Sequence, residues 1–141
     1  MSIGLKIKDA SGKIFKIVAE PDVRVNIENP VDLTTIPFTS AEEAFGFQIE
    51  GQKITGTIMF NCYDSIEDLS EGTNSTPVMT AEEQVQYLYQ VFADYQSKQY
   101  YLYYERLFGT DWKPIIIDKV TIADKGIYPT VTISFSVGQV L

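Results

Sequence analysis

"DWKPIIIDKVTIADKGIYPTVTISFSV", residues 111–137, holds two apolar runs on either side of a turn. In the second run, "TVTISFSV" (130–137), Val131, Ile133, Phe135 and Val137 alternate with Thr130, Thr132, Ser134 and Ser136. Successive side chains of a strand point to opposite faces, so this spacing predicts a strand with one face in a core and one face wet. The first run, "IIIDKVTI" (115–122), is apolar almost throughout and also reads as a strand.

Just ahead of this pair, "KQYYLYYERLFG" (98–109) places four tyrosines and a leucine in five consecutive positions. As a strand it puts Tyr100, Leu102 and Tyr104 on one face and Tyr101 and Tyr103 on the other. Neither face is fully wet, so such a strand needs two covers. Period-two patterns continue toward the N-terminus. Ile3, Leu5 and Ile7 alternate, and "KIFKIV" (13–18) follows a turn at Gly12. "DVRVNIE" (22–28) sets Val23, Val25 and Ile27 against Arg24, Asn26 and Glu28. "KITGTIMFN" (53–61) gives Ile54, Ile58 and Phe60 one face, with Gly56 marking a bulge or a close backbone approach.

One long helix interrupts the strands. Thr80 and Glu83 have capping-box spacing, and Glu82 and Glu83 sit where the helix dipole favours negative charge. Val85, Leu88, Tyr89, Phe92 and Tyr95 then recur as an apolar stripe. A shorter helix is expected from "SAEEAF" (40–45), where Ser40 and Glu43 repeat the box. "NPVDLTTIPFTS" (29–40) reads as an extended arm, and "YDSIEDLSEGTNSTPVM" (63–79) as a solvated acidic loop. The expected fold is mainly β (α+β): an antiparallel β-sandwich or barrel of about six to eight strands. One principal helix runs over about 80–96, and residues 1–141 form a single domain.

Charge and composition exclude several function classes. Nineteen acids against eleven bases give a net charge of −8, and no Lys/Arg cluster exists to hold a nucleic-acid backbone or an anionic membrane. The single cysteine, Cys62, cannot form an internal disulfide and reads as a buried structural residue. "MSIGLKIKDASGKIF" (1–15) has no continuous apolar run, so neither a signal peptide nor a membrane span is expected. Histidine is absent, which removes Ser-His-Asp and Cys-His mechanisms and His-based metal sites. "GQKITGT" (51–57) has phosphate-loop glycine spacing, but Thr57 stands where the lysine must be. Asp64, Glu67, Asp68 and Glu71 could offer oxygens to calcium or magnesium, yet they lack the alternation of an EF-hand loop. No residue is assigned to catalysis, to a cofactor or to a metal, and the chain is not expected to be an enzyme. The tyrosines with Trp112 could form a platform for pyranose rings, which makes a carbohydrate-binding, lectin-like β-sandwich module the alternative. The split of the tyrosines between two faces counts against it, and Tyr and Trp are equally enriched at protein interfaces.

The segment 111–137, with the long helix ahead of it and the arm at 29–40, resembles the C-terminal sheet of bacteriophage tail-tube and baseplate proteins. The resemblance covers roughly the last two-thirds of the chain. It implies a β-barrel or sandwich flanked by a helix, assembled as a hexameric ring as in type VI secretion and contractile injection tubes. It further implies other tail-tube or baseplate proteins as partners, and a virion location after assembly in the bacterial cytoplasm. Double-stranded DNA would pass through the lumen without specific binding, and no membrane would be involved. On this reading Val31, Leu33, Ile36, Phe38, Tyr101 and Tyr103 meet a neighbouring subunit, which is the second cover of the tyrosine strand. Thr130, Thr132, Ser134 and Ser136 line the lumen. An acidic wall would repel phosphates within a Debye length of about 8 Å. Tube, tube initiator and baseplate ring protein share these features.

Overall fold

The two runs of residues 111–137 form an antiparallel hairpin in the computed structural model, and the rest of the sheet grows from both sides of it. The structure describes residues 4–17, 20–28, 31–34, 45–48, 53–73, 76–124, 126 and 128–139, the stretches 31–34 and 45–48 by their backbone. The strands are β1 (Leu5–Asp9), β2 (Lys13–Ile17), β3 (Asp22–Glu28), β4 (Val31–Thr34), β5 (Phe45–Gln48), β6 (Lys53–Asn61), β7 (Ser70–Gly72), β8 (Tyr100–Tyr104), β9 (Trp112–Ala123) and β10 (Thr130–Val137). Eight of them make one antiparallel sheet in the order β3-β6-β10-β9-β8-β1-β2-β7, while β4 and β5 pair as a separate ribbon. Among the described residues, two α-helices, α1 (Ala81–Val91) and the short α2 (Glu105–Phe108), accompany the strands. It is the expected mainly β architecture with one principal helix.

A bulge explains why "IIIDKVTI" does not alternate cleanly. Ser134 pairs with Lys119 and Phe135 with Ile117, which leaves Asp118 as an extra residue. Ile115 and Ile117 are buried before it, and Val120 and Ile122 pack against the same core after it. Opposite, Val131, Ile133 and Phe135 are fully buried, and Val137 packs at the edge of the core. Gly56 on β6 lies beneath Phe135. A Cβ there would stand 2.6 Å from the Phe135 ring and 2.8 Å from the Arg24 carbonyl, so the close approach needs glycine.

The sheet curls until its two halves share one interior. Phe15 on β2 and Phe60 on β6 are near opposite ends of the strand order, yet their ring centroids are 6.1 Å apart. A cleft of about 120 Å³ remains at that seam, lined in part by Phe15, Phe60, Tyr63 and Gln84. It is smaller than the pockets that take drug-sized ligands.

The capping box holds as the sequence predicts. Glu83 N–H donates to Thr80 Oγ1 (3.2 Å), and Thr80 N–H donates back to Glu83 Oε1 (3.0 Å). The main-chain donors of Thr80 and then Met79 hold the Glu83 carboxyl below its ordinary range. Two features of the helix differ from expectation. It ends at Val91, capped by Phe92; Asp94 then adopts a left-handed conformation (φ 55°) and opens a 3-10 turn (Tyr95–Ser97). The buried side is centred on Ala81, Gln84, Leu88 and Val91, which leaves Tyr89 73% exposed. Gln84 can occupy that side because its amide donates to the carbonyls of Tyr63 and Met79.

Candidate assembly surfaces

The tyrosine strand shows how the chain covers its own second face. Tyr100 and Leu102 point inward and are fully buried, with Tyr100 against Phe92 beside the end of α1. On the outer face Tyr101 lies between Lys8 of β1 and Pro114 of β9, and Tyr103 lies between Lys6 and Trp112. Lys8 Nζ stands 4.4 Å from the Trp112 ring centre and 5.2 Å from that of Tyr101. Lys6 Nζ stands 5.4 Å from the Tyr103 ring centre, and Tyr103 packs on Trp112 at 5.4 Å. Lysine stems covering apolar surface while the ammonium sits on a π face give a half-buried, cationic-aromatic patch. The neighbouring-subunit cover expected for Tyr101 and Tyr103 is thus supplied in part from within the chain. Tyr103 also donates to Glu105 Oε1 (2.6 Å), and that bond, with burial and the carboxylate charge, raises its phenol pKa.

Thr130, Thr132, Ser134 and Ser136 share the outward face of β10, each half-buried. Their cross-strand neighbours are Asn61, Met59, Thr57 and Thr55 on β6. Thr130 donates to Asn61 Oδ1 (2.7 Å) and Ser136 to Asp118 Oδ2 (2.8 Å). This face is not acidic. Arg24 pairs with Asp22 (3.3 Å) on β3, and Lys119 beside Asp118 balances the other side. The excess negative charge lies elsewhere: between Lys53 and Lys98 the chain carries Asp64, Glu67, Asp68, Glu71, Glu82, Glu83 and Asp94 without a single Lys or Arg. The face of these four residues is thus neutral and hydroxyl-rich, as their side chains imply.

The loop before α1 exposes Asp64 and Glu67 to solvent as expected, but several of its carboxylates also hold the backbone. Asp64 Oδ1 accepts the Ala81 N–H (2.8 Å) at the start of the helix. Asp68 Oδ1 accepts from Ser70 Oγ (2.7 Å), Val78 N–H (2.8 Å) and Ser70 N–H (3.0 Å). Burial pulls the Asp68 pKa up, but those donors and the charge of Lys16 outweigh it and hold the carboxyl below its ordinary value. Glu71 sits in β7, 3.6 Å from both Lys6 and Lys16. These carboxylates are committed to structure, and no group of three metal-ligating side chains occurs among the described residues. The same region carries exposed apolar side chains. Tyr63 packs edge-on against Tyr128 (4.5 Å), and Ile66 is 99% exposed beside Met79, on a bend held by the bond from Ser65 N–H to the Met79 carbonyl (2.7 Å).

Cys62 is buried, and burial pushes its thiol up to about 11, which suits an inert core residue. "KITGT" of the glycine-spaced segment lies within β6, not between a strand and a helix. In the arm, Val31 and Leu33 belong to β4, so part of the irregular stretch is a ribbon; Ile36 and Phe38 lie outside the described residues. The helix expected from Ser40 also lies outside them, except that Phe45 begins β5.

No family model matches this sequence, and no curated protein matches it. Solved structures do. The chain is similar to a chain in the tail of an empty GTA particle with C6 symmetry, with TM-score 0.55, 10% identity, and coverage of 97% of this chain and 91% of that one. It is similar to the same degree (TM-score 0.55, 10% identity) to a chain in the virion of a native gene transfer agent particle, over 96% and 92% of the two lengths. At this identity the likeness is one of fold. It spans nearly the whole chain, including the N-terminal third that the sequence resemblance does not reach.

Proposed function

We propose that this chain is a structural subunit of a phage-tail-like particle, assembled as a hexameric ring around a lumen that conducts double-stranded DNA without binding it specifically. The observation that carries this reading is the nearly full-length fold likeness to a chain of a C6-symmetric GTA tail. Two features of the chain support it. The β4–β5 ribbon stands apart from the main sheet, and a two-stranded ribbon is marginal in water without a further layer to pack on. Its sequence supplies Val31 and Leu33, with Ile36 and Phe38 beyond, for a neighbour to cover. The hydroxyl face of β10 also suits a lumen, since the cations that flank it, Arg24 and Lys119, are balanced by Asp22 and Asp118 and leave little net charge to hold phosphates. On this reading the partners are copies of the chain and other tail-tube or baseplate proteins, the location is the virion, and no reaction is catalysed.

Electron microscopy of the purified protein, alone and with the other tail components, tests the proposal. Rings or tubes are expected; a protein that stays monomeric and joins no tail assembly overturns it.

One observation favours the lectin-like alternative: Tyr101, Tyr103 and Trp112 converge on one outer face. Lys8 and Lys6 already occupy positions over those rings, so a pyranose would have to displace them. Calorimetric titration with an oligosaccharide panel should give no specific heat. Micromolar binding lost on Trp112→Ala would reverse the order of the two readings.

A further inference from the structure

The chain carries two surfaces of complementary character, although Glu71 of the acidic stretch already pairs with Lys6 and Lys16. One is the cationic-aromatic patch of Lys6, Lys8, Tyr101, Tyr103 and Trp112. Lys8 forms no ion pair among the described residues, so its charge is balanced only by ring faces. The other is the loop around Ile66, where a fully exposed isoleucine is flanked by Asp64, Glu67 and Met79. That isoleucine is not on a slack segment. Ser65 N–H bonds the Met79 carbonyl (2.7 Å), Glu67 N–H bonds Ser65 Oγ (3.0 Å), and Leu69 N–H bonds the Val78 carbonyl (2.8 Å). A large apolar side chain exposed on a hydrogen-bonded bend, beside the carboxylates of Asp64 and Glu67 and in a stretch of sequence (54–97) without Lys or Arg, is shaped as an anchor for a cationic, apolar partner surface.

We propose that Ile66 and Glu67 of one copy dock on the Lys8–Tyr101–Trp112 patch of a second copy. This rests on the assembly reading above and names one of its contacts. The isoleucine would lie against the aromatic rings, and the Glu67 carboxylate would meet the Lys8 ammonium, which steers the approach and fixes its register. Two different surfaces meet, so the contact is heterologous and propagates in one direction, closing a ring or extending a stack.

Three proteins test it: wild type, an anchor variant (Ile66→Ser with Glu67→Lys) and a patch variant (Lys8→Glu). Ile66 is 99% exposed, so the anchor variant should fold, and thermal melts check both variants. Wild-type self-association, followed by sedimentation velocity, should weaken as salt rises from 50 to 500 mM. Each variant alone should associate at least about tenfold more weakly than wild type, as expected for losing a buried isoleucine or a charge pair. A mixture of the two variants should give a 1:1 complex, because each retains the half the other lacks. Variants that assemble as wild type does, or a mixture that forms no complex, overturn the contact. If those variants still form rings by electron microscopy, the ring reading stands while this contact falls. A wild type that never associates defeats both.

Discussion

The hydroxyl of Tyr100 donates to the main-chain carbonyl of Val91 at 2.8 Å, tying β8 to the last turn of α1. Both residues are buried, so the bond satisfies a helix-end carbonyl that water does not reach. Tyr100→Phe should cost about 1–2 kcal/mol in urea unfolding. Burial first, then the carboxylates of Asp9 and Asp94, push the phenol up to about 12. A folded-state pKa above the ordinary value of about 10 means the neutral form is the one the fold favours. Its contribution is full below about pH 10 and is lost as pH rises toward about 12. Unfolding midpoints measured across that window should fall for wild type and fall less for Tyr100→Phe. Equal slopes would show that Tyr100 does not carry the alkaline loss.

Gly56→Ala should destabilise the sheet by about 1–3 kcal/mol, the usual range for forcing atoms into a packed core. Two groups oppose the new methyl: the Phe135 ring and the Arg24 carbonyl. Adding Phe135→Leu should therefore recover part of the loss but not all, because the carbonyl stays. Complete recovery in the double variant would mean that the backbone approach of β3 is not the constraint.

Asp68→Ala removes the acceptor shared by Ser70 and Val78 and should cost about 1–3 kcal/mol. Because the native carboxyl titrates below its ordinary value, its contribution is present above about pH 4 and fades as pH falls through the lower folded-state pKa. Below about pH 4, wild type should lose stability faster than Asp68→Ala does. Parallel acid curves would remove Asp68 from the account.

Cys62 should be almost silent toward maleimide in the native protein. With the thiol near 11, only about one molecule in a thousand is thiolate at pH 8, against roughly a quarter for a free cysteine. Labelling should accelerate sharply in urea, and fast labelling of the folded protein would contradict its burial.

Strands with one repeating signal were legible in the sequence. β3, β6, β8 and β10 fall at Asp22–Glu28, Lys53–Asn61, Tyr100–Tyr104 and Thr130–Val137, where period two or a dense apolar run leaves little ambiguity. β7 was not legible, because "SEG" has no periodicity and pairs with β2 only through its backbone and the Glu71 contacts. Gln84 reads as a surface residue, and only the nearby carbonyls of Tyr63 and Met79 make its burial affordable. The cationic-aromatic patch was hidden for another reason. Lys6, Lys8, Tyr101 and Trp112 are spread over three strands, and it is the register of β1, β8 and β9 that gathers them. The base-free stretch between Lys53 and Lys98 was open to inspection, and it is the signal that would have placed the acidic surface on the loop and helix.

The lumen assignment of Thr130, Thr132, Ser134 and Ser136 makes a prediction that depends on assembly. Ser134 is half-buried on the outward face of β10, whereas Gln86 and Gln90 are exposed on α1, which covers the inner face of the sheet. If the β10 face lines a lumen, α1 lies on the outside of the ring. In a Cys62→Ala background, Ser134→Cys should react with a small maleimide whether the protein is dispersed or assembled. A polymer-linked maleimide should reach it in the dispersed protein and be excluded once rings stack into tubes. Gln86→Cys or Gln90→Cys should react with the polymer reagent in both states. Equal access of the bulky reagent to position 134 before and after assembly would place the stripe on the outside, and the neutral hydroxyl face would then be an ordinary solvent face.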